Sequence, residues 1–271
     1  MHPELMKHLK GISEIYWKSI CALDIYGKTE EDAQRSITTF ISGYAYERQG
    51  APKAYPKIAN KIISQYFNRK INNNDALSNF EKECKKIGIG SNRTNNIFFK
   101  NKGKITILDF MYGIDNIAIE KWVKTCIEHG KISDAHREMC KIRGIGEKIA
   151  SFYIRDIVYK YSLEKIVKSK KHLIHPIDIW VRRAGQIILK DWNKTDYKIR
   201  KFLVEAAEEW KITNAELNAG LWILGGYLCK NQRKFEAAIK NPNIIKDLVN
   251  ERIKNNESEI KAMETALKAI N

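Results

Sequence analysis

Apolar residues recur along this chain every three or four positions, the spacing that lines one face of an α-helix. Ala33, Ile37, Phe40, Ile41 and Tyr44 form such a face and predict a helix ending near Gly50-Ala51-Pro52. A second helix is predicted from Tyr55 to Phe67, ahead of the polar break Asn72-Asn73-Asn74. Ile119, Trp122, Val123 and Cys126 mark another, which stops at Gly130. From Leu203 onward the pattern is helical again and includes the apolar segment Leu217 to Leu228, while the tail from Asn241 reads as a charged, solvated packing helix. Long strand-like alternation is missing, although Lys104 to Phe110 has the character of a short extended stretch. With only 5 Pro and 15 Gly to punctuate it, the chain is expected to be all-α, its helices joined by short loops.

The stretch from Ser133 to Gly185 is the most informative. Ser133-Asp134 has the chemistry of a helix cap, ahead of a helix that carries Met139 and Ile142 on its inner face. Arg143-Gly144-Ile145-Gly146 leaves room for nothing but a tight hairpin, and a second helix begins at Glu147 with Ala150, Tyr153, Ile154 and Ile157 at periodic positions. The basic stretch Lys165 to Lys171 then leads into His175-Pro176-Ile177-Asp178. Pro176 ends any helix before it, and a new one is expected from about Asp178.

Composition narrows the classes. A chain of 271 residues with 44% hydrophobic positions buries a sizeable core and is not disordered. Its formal charge of +16 favours a polyanionic partner, because each neutralised phosphate releases a condensed counterion. A merely solubilising surface on a Lys-, Asn- and Ile-rich chain explains the charge nearly as well. Cys21, Cys84, Cys126, Cys140 and Cys229 are odd in number, widely spaced and without a C-x-x-C pair, which argues against a disulfide framework, a zinc site or a four-cysteine iron–sulfur cluster. With no signal peptide and no apolar run of bilayer length, the expectation is a cytoplasmic, nucleoid-associated protein with reduced thiols and no membrane partner.

Helix, Gly-hydrophobic-Gly turn, helix is a pattern suited to a DNA backbone. Glycines let the main chain approach a phosphate, and the second helix offers unpaired N–H groups and a positive dipole end. Lys148 stands two residues after Gly146, in the first turn of that helix, and Asp178 follows thirty residues later. Ile142-Arg143-Gly144-Ile145-Gly146-Glu147-Lys148-Ile149-Ala150 and His175-Pro176-Ile177-Asp178 together resemble the helix-hairpin-helix DNA glycosylase superfamily. That family usually has Pro before the first glycine, where this chain has Arg143. The resemblance implies Lys148 and Asp178 as the catalytic pair, with Arg143, Gly144 and Gly146 on the DNA backbone. It also implies a structural Na⁺ or K⁺ on the backbone carbonyls of Cys140, Ile142 and Ile145, with no cofactor required.

A lysine at this position marks family members that are both glycosylase and abasic-site lyase. The helix N-terminus disfavours the ammonium form, so the amine is easier to activate as a nucleophile. It would attack C1′, and ionised Asp178 would steady the positive sugar. As plain features, Lys148 is a surface lysine touching phosphate and Asp178 an N-cap.

Further stretches are similar to the archaeal 8-oxoguanine glycosylase branch. Phe40-Ile41-Ser42 with Tyr55, and Leu217 to Gly226, match it, which implies Ser42, Tyr55, Asn218 and Trp222 around the extruded base. Asn218 stands where that branch carries Asp, and an amide donates as well as accepts. Tyr55 and Trp222 read equally as core aromatics. Arg48 and Gln49 are candidates to fill the gap that the extruded base leaves.

The implied architecture is two helical domains with the active site in the cleft between them: a terminal domain of residues 1–25 and 165–271, and a helical barrel of 26–164 that contains the hairpin. The expected activity is bifunctional base-excision repair, as a DNA N-glycosylase and DNA-(apurinic or apyrimidinic site) lyase, by a monomer acting on double-stranded DNA with an oxidised purine such as 8-oxoguanine. Three alternatives stay open: a bifunctional glycosylase for another lesion or mismatch, a non-catalytic helix-hairpin-helix DNA clamp, and a helical scaffold whose charge is incidental.

Overall fold

A computed structural model describes residues 3–46, 51–91, 95–101, 103–255 and 260–270. Among them no strand forms and two isolated bridges are present, so the fold is all-α. Arg48 and Gln49 lie outside the described residues.

The chain opens with α1 (Pro3–Ile15) and a wide turn of π type (Tyr16–Ile20), closed by Cys21 N–H donating to the Tyr16 carbonyl at 2.8 Å. There follow α2 (Glu30–Phe40), α3 (Tyr55–Phe67), α4 (Asn73–Lys86), α5 (Ile107–Gly113), α6 (Ile119–Glu128), α7 (Ile132–Lys141), α8 (Glu147–Lys160) and α9 (Glu164–Val167). A 3₁₀ segment (Lys168–Ile174) leads to α10 (Ile179–Leu189), α11 (Asp196–Glu209), α12 (Asn214–Trp222), α13 (Gln232–Lys240), α14 (Ile244–Asn255) and α15 (Ile260–Ile270). Backbone contacts gather these elements into two compact units, Met1–Cys21 with Lys168–Asn271 and Ala22–Val167.

In the first unit α1 packs along α12 and α15, burying Leu5, Leu9 and Ile12 with Leu217, Leu221 and Met263. In the second, α8 runs through the core, and every residue from Ile149 to Val158 is buried. Phe40 and Tyr44 each meet the Tyr153 ring edge-on with centroids 4.9 Å apart. The same helix buries a charge pair: Arg155 Nε and Nη2 donate to Asp156 Oδ1 at 2.9 and 2.7 Å, and Tyr44 donates to Oδ2 at 2.7 Å. Arg155 also lies over the Phe152 ring, 4.9 Å from its centroid. A buried pair of this kind is tolerable because its lone pairs and protons are met by neighbours.

Several boundaries differ from the sequence pattern, each for a local reason. The helix predicted through Tyr44 stops at Phe40 and widens into a π-type turn (Ile41–Tyr46) that keeps Ile41 and Tyr44 buried. Ser133 and Asp134 lie inside the first turn of α7; Lys131 is its N-cap position, and Asp134 accepts from Arg137 at 2.8 Å instead. Extended backbone after Lys104 ends at once, because Thr106 and Asp109 form a reciprocal capping box that starts α5 at Ile107. Helix α11 begins at Asp196, ahead of Leu203, with Thr195 accepting from Lys198 N–H. The apolar segment splits at Trp222 into α12 and another wide turn (Ile223–Cys229). The tail from Asn241 is not one solvated helix: it divides into α14 and α15, and Ile245, Val249 and Met263 are buried within its own unit. Among the described residues no helix is long and apolar enough to cross a membrane.

Candidate functional site

The turn between α7 and α8 is shaped by one backbone requirement. Ile142 leaves the helix with ψ 133°, and Ile145 N–H returns to the Ile142 carbonyl at 3.0 Å, closing a four-residue turn with Arg143 and Gly144 at its centre. Gly144 has φ +80°, the left-handed value that a type II turn needs at its third position. Ile142 and Ile145 are buried and anchor the turn from below. Gly146 then serves as the N-cap of α8 without a side-chain cap, and a methyl group built on it would meet nothing within 4 Å. Helices α3, α6 and α7 likewise start without a side-chain cap, whereas α2, α4, α5 and α10 to α13 each have a side-chain oxygen accepting from their first turn. A glycine at this position leaves room beside the helix start, the end of a helix that favours an anion.

A neighbouring segment holds this turn in place. Ile105 N–H donates to the Lys141 carbonyl at 3.0 Å, and Arg143 N–H donates to the Ile105 carbonyl at 2.9 Å, forming a parallel bridge. This explains the departure at position 143: proline has no N–H to give to Ile105. The Arg143 guanidinium lies over the Phe99 ring, 5.8 Å from its centroid. Lys104 completes the brace, its Nζ donating to the Cys140 carbonyl at 2.5 Å. Lysine near the carbonyl end of a helix is favoured by the helix dipole.

The same contact bears on the monovalent ion implied for Cys140, Ile142 and Ile145. An ammonium already sits on the Cys140 oxygen, and the Ile142 oxygen accepts from Ile145 N–H. A metal ion placed on this set would face the Lys104 charge at contact distance. The Lys104 ammonium thus stands where a cation on the Cys140 carbonyl would sit, and no chemical step is routed through a bound ion.

Lys148 is the second residue of α8 and is exposed, while the helix beyond it is fixed by the Arg155–Asp156–Tyr44 network. Helices α7 and α8 are tied by His136 Nε2 and Ser151 Oγ at 3.2 Å. An amine on the first turn of a rigid helix keeps its position while its own four-carbon stem retains reach.

Asp178 belongs to the other unit and starts α10. Its Oδ1 accepts from Trp180 N–H at 2.9 Å and Val181 N–H at 2.8 Å. The preceding stretch 175–178 has no regular structure, and His175, Pro176 and Ile177 are buried. Side chains therefore meet its polar groups. His175 Nε2 pairs with Asn214 Oδ1 at 2.8 Å, Arg200 Nε donates to the His175 carbonyl at 3.2 Å, and Asn218 Nδ2 donates to the Pro176 carbonyl at 3.2 Å.

The residues expected around a base are placed as follows. Ser42 is half-buried and accepts from Asn60 Nδ2 at 2.9 Å. Tyr55 is fully buried between the rings of Tyr46 and Phe80, and donates its hydroxyl proton to the Gly90 carbonyl at 2.5 Å. Asn218 is 0% exposed. Trp222 is half-buried, edge-on to Tyr16 with centroids 5.8 Å apart. Ser42 and Tyr55 stand in the Ala22–Val167 unit with Lys148, and Asn218 and Trp222 in the other with Asp178. Lys104, Arg200 and Asn214 were not singled out from the sequence. A weak signal existed for two of them, in the extended character of Lys104 to Phe110 and the i, i+4 spacing of Asn214 and Asn218.

The chain is 26% identical over 265 aligned residues to an uncharacterized protein of Methanocaldococcus jannaschii, MJECL21, with 73% of this chain and 60% of that protein covered. It thus spans less than two thirds of that relative's length. No protein-family model and no solved structure matches the chain.

Proposed function

We propose that the chain is a bifunctional base-excision-repair enzyme, a DNA glycosylase and abasic-site lyase, with α7, the glycine turn and α8 as its helix-hairpin-helix and double-stranded DNA as its partner. The observation that carries the reading is Lys148: an exposed residue in the first turn of a helix that starts directly from the Gly144–Gly146 turn, with Gly146 at its N-cap.

The reading requires Lys148 and Asp178 to act on one nucleotide. The Lys148 amine forms a bond to C1′ as the bond from C1′ to the base breaks, and the base leaves with that electron pair. The proton shed by the new amine nitrogen passes to the departing base. Opening of the sugar gives an iminium, loss of a C2′ proton breaks the bond from C3′ to oxygen, and water releases the lysine. Asp178 contributes negative charge where the sugar turns positive. Cleaving the bond at C1′ demands an extruded nucleotide. An oxidised purine, 8-oxoguanine first, is the substrate that the Ser42 and Trp222 positions suggest, while Tyr55 is committed to the core.

Borohydride trapping on duplexes that each hold one lesion or an abasic site tests this. Wild-type protein should give a covalent adduct, and Lys148→Gln should give none. DNA binding without an adduct on any duplex would make the chain a clamp and end the enzymatic reading.

A further inference from the structure

We propose, on the reading that Asp178 takes part in base excision, that Asn218 is a positioning residue for Asp178 and not a reader of the excised base. The segment His175-Pro176-Ile177 crosses the core of its unit without helical partners, so its backbone oxygens need donors from elsewhere. Three side chains from two helices meet it. Arg200 of α11 takes the His175 carbonyl, Asn218 of α12 takes the Pro176 carbonyl, and Asn214, one turn before Asn218, takes the His175 ring. Two residues beyond Pro176 comes Asp178, whose Oδ1 accepts both capping amides of α10. Pro176 fixes its own φ, so a clamp on its carbonyl sets the direction in which the chain leaves toward Asp178.

The chemistry of position 218 follows from this contact. The bond runs from the Asn218 amide nitrogen to a carbonyl oxygen, and an ionised carboxylate has no proton to give. Aspartate at 218 would set oxygen against oxygen at the Pro176 carbonyl. Asn218 is also 0% exposed, so its amide offers no surface to an incoming purine. A base-reading role and a positioning role therefore predict opposite effects of the same substitution. If residue 218 reads an oxidised purine, Asn218→Asp creates the carboxylate of the resembling branch and speeds 8-oxoguanine excision. If it positions Asp178, Asn218→Asp slows excision.

The experiment measures, for wild type, Asn218→Asp, Asn218→Ala and Arg200→Gln, the single-turnover excision rate, the affinity for a tetrahydrofuran abasic duplex, and amide hydrogen exchange across residues 175–183. The expected result is a rate lower by about 10- to 100-fold in each variant, since small misplacement of a reacting group has effects of that size. Duplex affinity should stay within about twofold, and exchange across 175–183 should accelerate. Arg200→Gln keeps the α12 interior intact and serves if either Asn218 variant melts below the assay temperature. An Asn218→Asp rate at or above wild type, or unchanged exchange in all variants, overturns the proposal. A wild-type protein that excises nothing refutes the functional reading instead, and the exchange data alone then decide whether Asn218 holds the segment.

Discussion

Asp178 shows how one side chain can serve the fold and the chemistry together. Its Oδ1 holds the first turn of α10 by accepting from Trp180 and Val181, a task that asparagine performs equally well. Its negative charge is a separate property, which asparagine lacks. Asp178→Asn should therefore leave stability within about 0.5 kcal/mol of wild type in a denaturant titration, because both residues are good caps. Its excision rate should fall by about 100-fold or more, the usual size of a lost charge-stabilising group. An Asp178→Asn protein that turns over at the wild-type rate removes the residue from the chemistry and leaves it a cap. Asn218 makes the converse point. Its position suggested a contact with the base, and its amide nitrogen donates to the Pro176 carbonyl, a partner that the sequence pattern does not announce.

At the level of elements, helices were legible because apolar residues at 3.6-residue spacing must face a core, and this holds for α2, α3, α6 and α8. The wide turns at 41–46 and 223–229 were not legible, since a π-type widening keeps the same residues buried and leaves the periodicity nearly unchanged. The brace under the α7–α8 turn was hidden for a different reason. It joins backbone to backbone, Ile105 to Lys141 and Arg143, and any residue but proline supplies the groups required. Position 143 is where that brace can be tested. Arg143→Pro restores the commoner turn sequence and removes the N–H that Ile105 accepts. We expect it to lower stability by about 1 kcal/mol, the net worth of one hydrogen bond, measured by denaturant titration. A more stable Arg143→Pro protein would show that the bridge contributes nothing and that turn rigidity dominates.

The whole molecule carries +16 formal charges, yet two acids, Asp156 and Glu120, are buried among the described residues. Glu120, at the start of α6, is 1% exposed; it accepts from the Tyr161 hydroxyl, and its backbone N–H donates to Ser36 Oγ at 3.4 Å. Burial pushes its carboxyl up to about 7 from an ordinary 4.5, with Lys121, the Tyr26 amide and Lys124 pulling weakly the other way. The folded chain therefore keeps a proton that the unfolded chain releases near pH 4.5. Stability from this group is fully present below that pH, declines between 4.5 and about 7, and stays lower above. Glu120→Gln cannot ionise. Relative to wild type it should gain about 1–3 kcal/mol between pH 4.5 and pH 8 in chemical denaturation, and a pH-independent difference would show that the site stays charged in the fold. Composition predicted the basic surface, but an inward-facing acid is one carboxylate among 32 until the packing of α2, α6 and α8 is known.

The Lys104 contact at the turn has a consequence in mass action. A dissolved ion occupies its site according to its concentration and dissociation constant. An ammonium tethered ahead of Ile105 has no such equilibrium, because the bridge to Ile142 sets a local concentration that no buffer alters. The charge at the end of α7 is therefore indifferent to whether potassium, sodium or a bulky organic cation surrounds the protein. It answers instead to covalent chemistry: acylation of one amine, 44 residues before Lys148, would take the cation from the Cys140 carbonyl and leave the turn held by the Ile105 bridge alone.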